Sequence, residues 1–179
     1  MVKSFIFLIL ISFLSCKGIE VVKLQKSNKV PKDHNFFRKN YNTKYNVKTP
    51  TGVDTSSIYK EIYSLGFNGK KYFRTDGYNS FFRFYANGRV NSFTYKDDGE
   101  ISLNPNKKGY RGVCYVKDNK EIISLVAPIS QDQTYGIKNY ELKVKGDTLF
   151  VTYKQKNSFP HIYIKQKLSK KNLNFNANW

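Results

Sequence analysis

The chain has 179 residues and a mass of 20.9 kDa, a length typical of a single domain. Its 31 Lys and Arg residues outnumber its 13 Asp and Glu residues, so its formal net charge is +18. Aromatic residues make up 16% of the chain, which is enough ring surface for a hydrophobic core and excludes a globally disordered protein. The two cysteines, Cys16 and Cys114, are too few for a disulfide-rich scaffold.

Residues 1–15 have the pattern of a secretory signal peptide. A basic residue, Lys3, precedes an apolar run at 5–14, and a small residue precedes Cys16. This run is shorter than the ~20 residues that a membrane-spanning helix needs. The sequence FLSC at 13–16 resembles the lipobox of bacterial lipoproteins, although Phe stands first where that pattern prefers Leu. The resemblance implies that Cys16 is the lipid attachment site and carries acyl chains such as palmitate. The alternatives are an ordinary signal peptide with an incidental cysteine, or an N-terminal core segment.

A lipid on Cys16 predicts a protein anchored to the outer membrane of a Gram-negative bacterium. The following residues, KGIE at 17–20, lack the acidic cluster that resembles a surface-export signal, so we expect the periplasmic face. Cys114 then has no partner for a disulfide. Because Val and Tyr surround it, we expect a buried, unreactive thiol in a strand.

Residues 16–52 are predicted to form a flexible basic tether between the lipid and a folded domain. The stretch 17–50 has nine basic and two acidic residues, a net charge of +7, and its apolar residues show no sustained period. Such a segment is attracted to anionic headgroups. The alternative is that its apolar residues dock onto the domain, namely Val21, Val22, Leu24, Phe36 and Phe37. Residues 169–179 are predicted to be a loose tail, or one that packs back through Phe175 and Trp179.

Residues 53–168 predict an all-β domain, a small antiparallel up-and-down barrel of about eight strands. The regular strands are expected at 81–85, 90–95, 101–103, 110–117, 121–127, 140–145, 149–153 and 162–168. Residues 54–64 favour a further strand, with a short helix capped by Asp54 or Thr55 as the alternative. Asn87-Gly88 predicts a type I′ hairpin turn. Closure into a barrel removes the sheet edges through which a Tyr- and Val-rich chain would aggregate.

Three segments resemble the small lipocalin-like barrel lipoproteins of Bacteroidota: 82–90 (FRFYANGRV), 109–115 (GYRGVCY) and 146–149 (GDTL). The resemblance spans residues 70–168 and implies a calycin-type barrel. The chain departs from true lipocalins because their first-strand Gly-x-Trp is absent, and its one tryptophan is Trp179.

Motifs that would identify an enzyme are absent from the sequence, so no catalytic residue, metal or cofactor is predicted. There is no P-loop, no dinucleotide fingerprint, no His-Glu-x-x-His and no Gly-x-Ser-x-Gly. The chain has two histidines, and we interpret His161 as a residue of the barrel rim. The acidic cluster Asp97, Asp98 and Glu100 does not follow the order of an EF-hand and indicates a solvated turn. An envelope hydrolase remains an alternative that two carboxylates with raised pKa in one pocket would support.

The basic charge does not indicate nucleic-acid binding. The stretch 69–168 has 18 basic and nine acidic residues, or +9, but its lysines alternate along the strands as on a solvated outer surface.

The aromatic residues are the best candidates for a function. A barrel mouth lined by rings can accept a small amphipathic ligand, and the predicted ligand-binding residues are Phe82, Phe84, Tyr95 and Tyr115. Alternation places Phe82 and Phe84 on one face of their strand. Both faces of that strand carry aromatic residues, so the sequence does not decide which face points into the barrel. The alternative interpretation is that the rings fill the barrel and leave no cavity.

The leading hypothesis is a non-enzymatic envelope protein that binds such a ligand. The alternative is an adaptor that binds an envelope protein or an anionic glycolipid through its basic, tyrosine-rich surface.

Overall fold

The computed structural model describes residues 18–24, 29–96, 102–132, 134–155 and 158–179, with the side chains of all of these except residues 170 and 171. The predicted signal peptide and the lipid attachment site Cys16 lie outside the described residues. So does the acidic cluster of Asp97, Asp98 and Glu100.

The regular secondary structure of the described chain consists almost entirely of β-strands. Its strands are β1 (Val21–Lys23), β2 (Lys29–Pro31), β3 (Asn46–Val47), β4 (Ser57–Leu65), β5 (Lys71–Tyr72), β6 (Tyr78–Phe84), β7 (Arg89–Lys96), β8 (Tyr110–Lys117), β9 (Lys120–Pro128), β10 (Tyr135–Lys145), β11 (Thr148–Tyr153) and β12 (Pro160–Lys167). Among the described residues, eight of these strands, β4 and β6 to β12, pair antiparallel in chain order, and β12 pairs with β4 to close the barrel. The predicted up-and-down barrel is therefore confirmed. The strand predicted at 101–103 is wrong for its described part, because residues 102 and 103 belong to no strand. The segment 54–64, for which the sequence favours a strand over a short helix, contributes most of β4.

The short elements lie outside the barrel wall. β1 and β2 form a separate hairpin, β3 pairs with β8, and β5 pairs with the end of β4. The helical segments of the described chain include a five-residue π-helix (Arg38–Asn42), a 3₁₀ turn (Phe67–Gly69) and a short α-helix (Lys170–Leu173). In the part of the chain that the structure describes, no helix is both long and apolar enough to cross a membrane.

Alternation along the strands decides which face is inside. Phe82 and Phe84 point into the barrel, where Phe84 is fully buried against Tyr59 at a ring-centroid distance of 5.7 Å. Cys114 of β8 belongs to the same inner cluster and is 1% exposed. Burial raises the pKa of its thiol well above the usual value. The intervening residues, such as Arg83, point outward and are nevertheless buried because other segments cover the wall.

The turns at one end of the barrel are tight. Asp118 and Asn119 both have positive φ, of 51° and 57°, and join β8 to β9 as a two-residue loop. The predicted type I′ turn at Asn87-Gly88 is wrong, because only Gly88 (φ 74°) has a positive φ there. Instead the amide of Gly88 donates to the carbonyl of Tyr85 at 3.0 Å, so the hairpin has a longer loop in which Gly88 takes the left-handed position.

The described part of the segment 16–52 lies against the outer wall of the barrel. Phe37 is 1% exposed, and Tyr41 packs on Tyr115 of β8 with ring centroids 5.5 Å apart. This contact corresponds to the docking interpretation of the segment, with Phe37 at its centre.

The residues after β12 also return to the barrel. Trp179 is 7% exposed, and its indole Nε1 donates to the carbonyl of Gly112 at 3.1 Å. Its ring meets Tyr85 edge-on, with centroids 5.9 Å apart. This is the packed arrangement predicted as the alternative to a loose tail.

Candidate functional site

A cavity of about 340 Å³ opens inside the barrel at the end that carries the longer loops. These loops join β4 to β6, β7 to β8, β9 to β10 and β11 to β12. The described side chains that line the cavity are Glu61, Arg74, Ser80, Phe82, Ser92, Tyr110, Leu125, Ala127, Pro128, Lys138, Tyr140, Val151, His161 and Tyr163. Because it lies inside the barrel and combines apolar with polar side chains, we treat it as the candidate functional site.

The gradation of side-chain size along the strands explains why one half of the barrel is filled and the other is hollow. On β6 the inward positions run from Phe84 through Phe82 to Ser80, and on β9 they run from Ile123 through Leu125 to Ala127. Large side chains at the tight-turn end pack into the inner cluster. At the other end, the small side chains of Ser80 and Ala127 leave space inside the barrel empty, because the circumference of the barrel does not decrease there.

A buried carboxylate stands in the wall of this cavity. Glu61 of β4 has a side chain that is 7% exposed, and its Oε1 lies 2.6 Å from Nδ1 of His161 on β12. Its Oε2 lies 3.6 Å from a guanidinium nitrogen of Arg74. Arg74 also donates to Ser80 and forms a 2.6 Å ion pair with Asp76. The result is a charged network that runs from the cavity wall to the rim.

The electrostatics of Glu61 are set by two opposing effects. Burial by itself raises the pKa of Glu61, whereas the hydrogen bond from His161 and the charges of His161 and Arg74 lower it. The lowering effects prevail, so the pKa lies below the usual value and Glu61 is ionised at neutral pH. An ionised carboxylate accepts hydrogen bonds only, so His161 donates through Nδ1.

Three tyrosines line the cavity: Tyr110, Tyr140 and Tyr163. Burial raises the pKa of Tyr140 to about 12 and that of Tyr163 well above its usual value. Both phenols therefore stay protonated at neutral pH and can donate to a bound oxygen atom. The ring of Tyr163 lies 5.0 Å from that of Phe82, which makes the inner part of the cavity aromatic.

The four residues predicted to bind a ligand do not share one surface. Phe82 lines the cavity, and Phe84 lies beneath it in the packed half. Tyr95 is on the outer wall beside Phe93, and its hydroxyl donates to the carbonyl of Ser102. Tyr115 is also on the outer wall, under Tyr41 and Tyr45. On β7 and β8 the odd-numbered positions face outward, so Tyr95 and Tyr115 lie on the opposite side of the barrel wall from Phe82.

Glu61 and Arg74 are not among the predicted site residues, and no partner is predicted for His161. One signal for Glu61 was available, because it lies two residues after the buried Tyr59, and strand alternation places the two side chains on the same face. No local pattern indicates Arg74, which reaches the site from the loop before β6.

The described lining of the cavity combines apolar side chains with charged and hydrogen-bonding ones, an arrangement that can bind a small molecule. Glu61 is the one carboxylate among its described lining residues, and its pKa is lowered rather than raised. The hydrolase hypothesis therefore gains no support from this cavity. Within the described ranges, no three His, Cys, Asp or Glu side chains lie together in a way that could hold a metal ion.

No model of a known protein family matches this chain, and neither the curated proteins nor the solved structures contain a match to it.

Proposed function

We propose that this is a non-enzymatic envelope protein, held at the membrane by lipid on Cys16, whose lipocalin-like barrel binds a small amphipathic ligand. The observation that carries the proposal is the cavity of about 340 Å³ at one end of the barrel. Its volume is at the lower end of the range of small-molecule sites, ~300–1,000 Å³, so it suits one short acyl chain or ring system.

The distribution of polarity within the cavity supports an amphipathic ligand. Phe82, Leu125 and Val151 line the cavity with apolar surface, and all three belong to the packed inner cluster of the barrel. Arg74 and Lys138 bring positive charge to the same cavity. A ligand that enters with its apolar part first would place a polar or anionic head beside these cations.

The surface around the mouth supports uptake from a membrane. Phe67, Phe73 and Tyr72 are 68%, 62% and 51% exposed, and all three belong to the segment between β4 and β6. Exposed rings at one end of a barrel are typical of a surface that meets a lipid interface. The same end would face the bilayer in a protein anchored through Cys16.

The experiment is native mass spectrometry on the full-length protein, purified from its own envelope in mild detergent. We expect a reproducible mass adduct that is released when the protein is denatured, and its mass identifies the class of ligand. The protein stripped of ligand by unfolding and refolding in clean detergent is the control. A single apo mass from the gently purified protein, under conditions in which the barrel is folded, contradicts the proposal.

A second candidate function is an adaptor that binds an anionic glycolipid or another envelope protein through its basic, tyrosine-rich surface. The observation that favours it is a set of lysines packed over tyrosine rings at the mouth. Nζ of Lys71 lies 4.8 Å from the ring centroid of Tyr63, and that of Lys70 lies 5.5 Å from the ring of Tyr72. Such pairs hold cationic groups at a surface that also exposes apolar rings.

Binding to vesicles tests this second candidate. The double substitution K70E/K71E should abolish co-sedimentation with vesicles that contain anionic glycolipid. The matched double substitution K117E/K145E reverses two exposed lysines at the tight-turn end and should leave co-sedimentation unchanged. Equal effects of the two pairs would show that only net charge matters.

A further inference from the structure

Three buried arginines lie on the outer wall of the barrel. Arg83, Arg89 and Arg111 are 2%, 8% and 8% exposed. Arg83 of β6 and Arg111 of β8 both stand in register with Asn91 of β7, so two guanidinium groups flank one amide along a cross-strand row. Among the described residues, none of the three arginines forms an ion pair with a carboxylate. Buried cations without a counter-ion are costly, because burial removes their hydration.

The three guanidinium groups differ in how far the protein satisfies them. Arg89 donates to Oδ1 of Asn42 at 3.2 Å, and Arg111 donates to the Pro105 carbonyl and stacks on the ring of Trp179. Arg83 uses one nitrogen, Nη2, for the carbonyls of residues 173 and 175, at 3.3 and 3.0 Å. Its Nε and Nη1 have no acceptor among the described residues. Arg83 is therefore the most buried of the three arginines and has unused donors.

A second cavity, of about 330 Å³, lies beside Arg83. It separates the end of β6 from the residues that return after β12, and Thr55, Tyr85 and Asn176 are among its lining residues. The hydroxyl of Tyr85 is buried and also has no hydrogen-bond partner among the described residues. The described lining of this cavity contains no carboxylate. The barrel wall separates this cavity from the one inside the barrel, since Arg83 points outward where Phe82 and Phe84 point inward.

Both unsatisfied groups are hydrogen-bond donors at neutral pH. Burial lowers the pKa of Arg83, but a guanidinium remains protonated throughout the physiological range. Burial raises the pKa of Tyr85 to about 12 against the opposing charges of Arg83 and Arg111, so its phenol keeps its proton. The guanidinium lies over the Tyr85 ring, 4.7 Å from its centroid, which holds the two groups together.

We propose that this cavity on the outer wall binds a small oxyanion, a carboxylate or phosphate group, through the guanidinium of Arg83 and the hydroxyl of Tyr85. An oxyanion supplies both the negative charge and the acceptor atoms that the described residues do not provide. Charge-assisted hydrogen bonds from arginine to carboxylate or phosphate are among the strongest in proteins, and burial strengthens them further. The site also ties the C-terminal residues to the barrel, since Arg83 holds the carbonyls of 173 and 175 with its remaining nitrogen.

The test is a titration of the full-length protein with inorganic phosphate and, separately, with acetate, at constant ionic strength. Trp179 is the one tryptophan of the chain and lies 5.9 Å from the Tyr85 ring, so its fluorescence reports on the site. We expect a saturable change with at least one of the two anions at concentrations up to about 50 mM. The anion with the lower dissociation constant identifies the class that the site prefers.

Two matched variants distinguish this site from general attraction to a basic protein. N176D introduces a carboxylate into the cavity with almost no change in shape, and it should weaken anion binding by at least about tenfold. N174D introduces the same charge at an exposed position outside the cavity lining and should change the affinity less than about twofold. Y85F should weaken binding without unfolding the protein, because it removes only the hydroxyl.

The proposal is overturned by a fluorescence signal that does not saturate with either anion. Equal affinities of N176D and N174D also overturn it, since the bound anion would then respond to net charge alone. Thermal unfolding of each variant is measured alongside, so that a variant that fails to fold is replaced by Y85F as the deciding comparison.

Discussion

Nδ1 of His161 and Oε1 of Glu61 lie 2.6 Å apart across the seam where β12 pairs with β4 and closes the barrel. Because Glu61 is almost fully buried, this contact joins the two ends of the barrel sheet by a charge-assisted hydrogen bond. The register between these strands shifts at Ile162/Tyr163, directly beside the pair. We infer that the pair fixes the closure at an irregular point of the sheet.

Replacing the carboxylate with an amide should destabilise the barrel. Glu61→Gln keeps the shape of the side chain but loses the charge that holds His161 and Arg74, so we expect the free energy of unfolding to fall by about 1–3 kcal/mol. The matched variant is Glu141→Gln, which removes the ion pair between Glu141 and the exposed Lys120. This loss should lower the free energy of unfolding by less than about 1 kcal/mol. Urea unfolding followed by Trp179 fluorescence measures both. An equal cost for the two variants would contradict a special role for Glu61.

The same contact should make stability depend on pH in the acid range. The pKa of Glu61 in the folded protein lies below its usual value of 4.5, so folding favours the ionised carboxylate. The stabilisation is fully present above pH 4.5 and is lost as the pH falls through the lowered pKa of the folded protein. We therefore expect the difference in unfolding free energy between the native chain and Glu61→Gln to shrink as the pH falls below 4.5. A difference that grows as the pH falls would have the wrong sign.

The barrel itself could be predicted from sequence because its information is local. Strand alternation and turn residues set each hairpin, and an up-and-down barrel joins consecutive strands, so no long-range pairing except the closure needs to be inferred. The β8–β9 hairpin has the predicted strand residues on both sides of Asp118 and Asn119. The turn type at Asn87-Gly88 could not be predicted from the dipeptide alone, since the same two residues suit a two-residue loop and a longer loop with Gly in the left-handed position.

The site could be predicted only in part because its residues are brought together by tertiary structure. Glu61 and His161 are 100 residues apart in the chain, and they meet only because the sheet closes. Both faces of β6 are aromatic, so alternation alone could not say that Phe82 faces the cavity. The sequence does not indicate that the rings of Tyr95 and Tyr115 face outward. The residues that contact them on the outer wall, Ser102 and Tyr41, lie in segments without a regular pattern.

Filling the barrel cavity should prevent ligand binding. Ala127→Phe adds a ring where a small side chain leaves space, and we expect ligand occupancy to fall by about tenfold or more, equal to at least about 1.4 kcal/mol of binding free energy. Gln166→Phe adds the same ring at an exposed position of β12 and should leave occupancy unchanged. Native mass spectrometry of both proteins from the same envelope preparation provides the comparison. Retention of the adduct by Ala127→Phe would place the ligand elsewhere.

Cys114 should be unreactive in the folded protein. Its side chain is buried in the inner cluster, and burial raises the pKa of the thiol, so very little thiolate is present or accessible near neutral pH. We expect a thiol reagent to label Cys114 at pH 8 at least about a hundredfold more slowly in the native protein than in denaturant. Cys114→Ser serves as the control, since the difference between the two chains isolates this thiol from Cys16. Rapid labelling without denaturant would contradict the inward position of Cys114.

The contact between the segment 16–52 and the barrel can be tested at two neighbouring phenylalanines. Phe37 is 1% exposed and packs against Tyr41, whereas Phe36 is partly exposed beside it. Phe37→Ala should lower the free energy of unfolding by about 3–5 kcal/mol, because it leaves a cavity in the cluster on the outer wall. Phe36→Ala removes an identical side chain from the rim of that cluster and should cost clearly less. If the segment instead hangs free of the barrel, both substitutions leave the unfolding midpoint unchanged, and the segment acts as a plain spacer between the lipid and the domain.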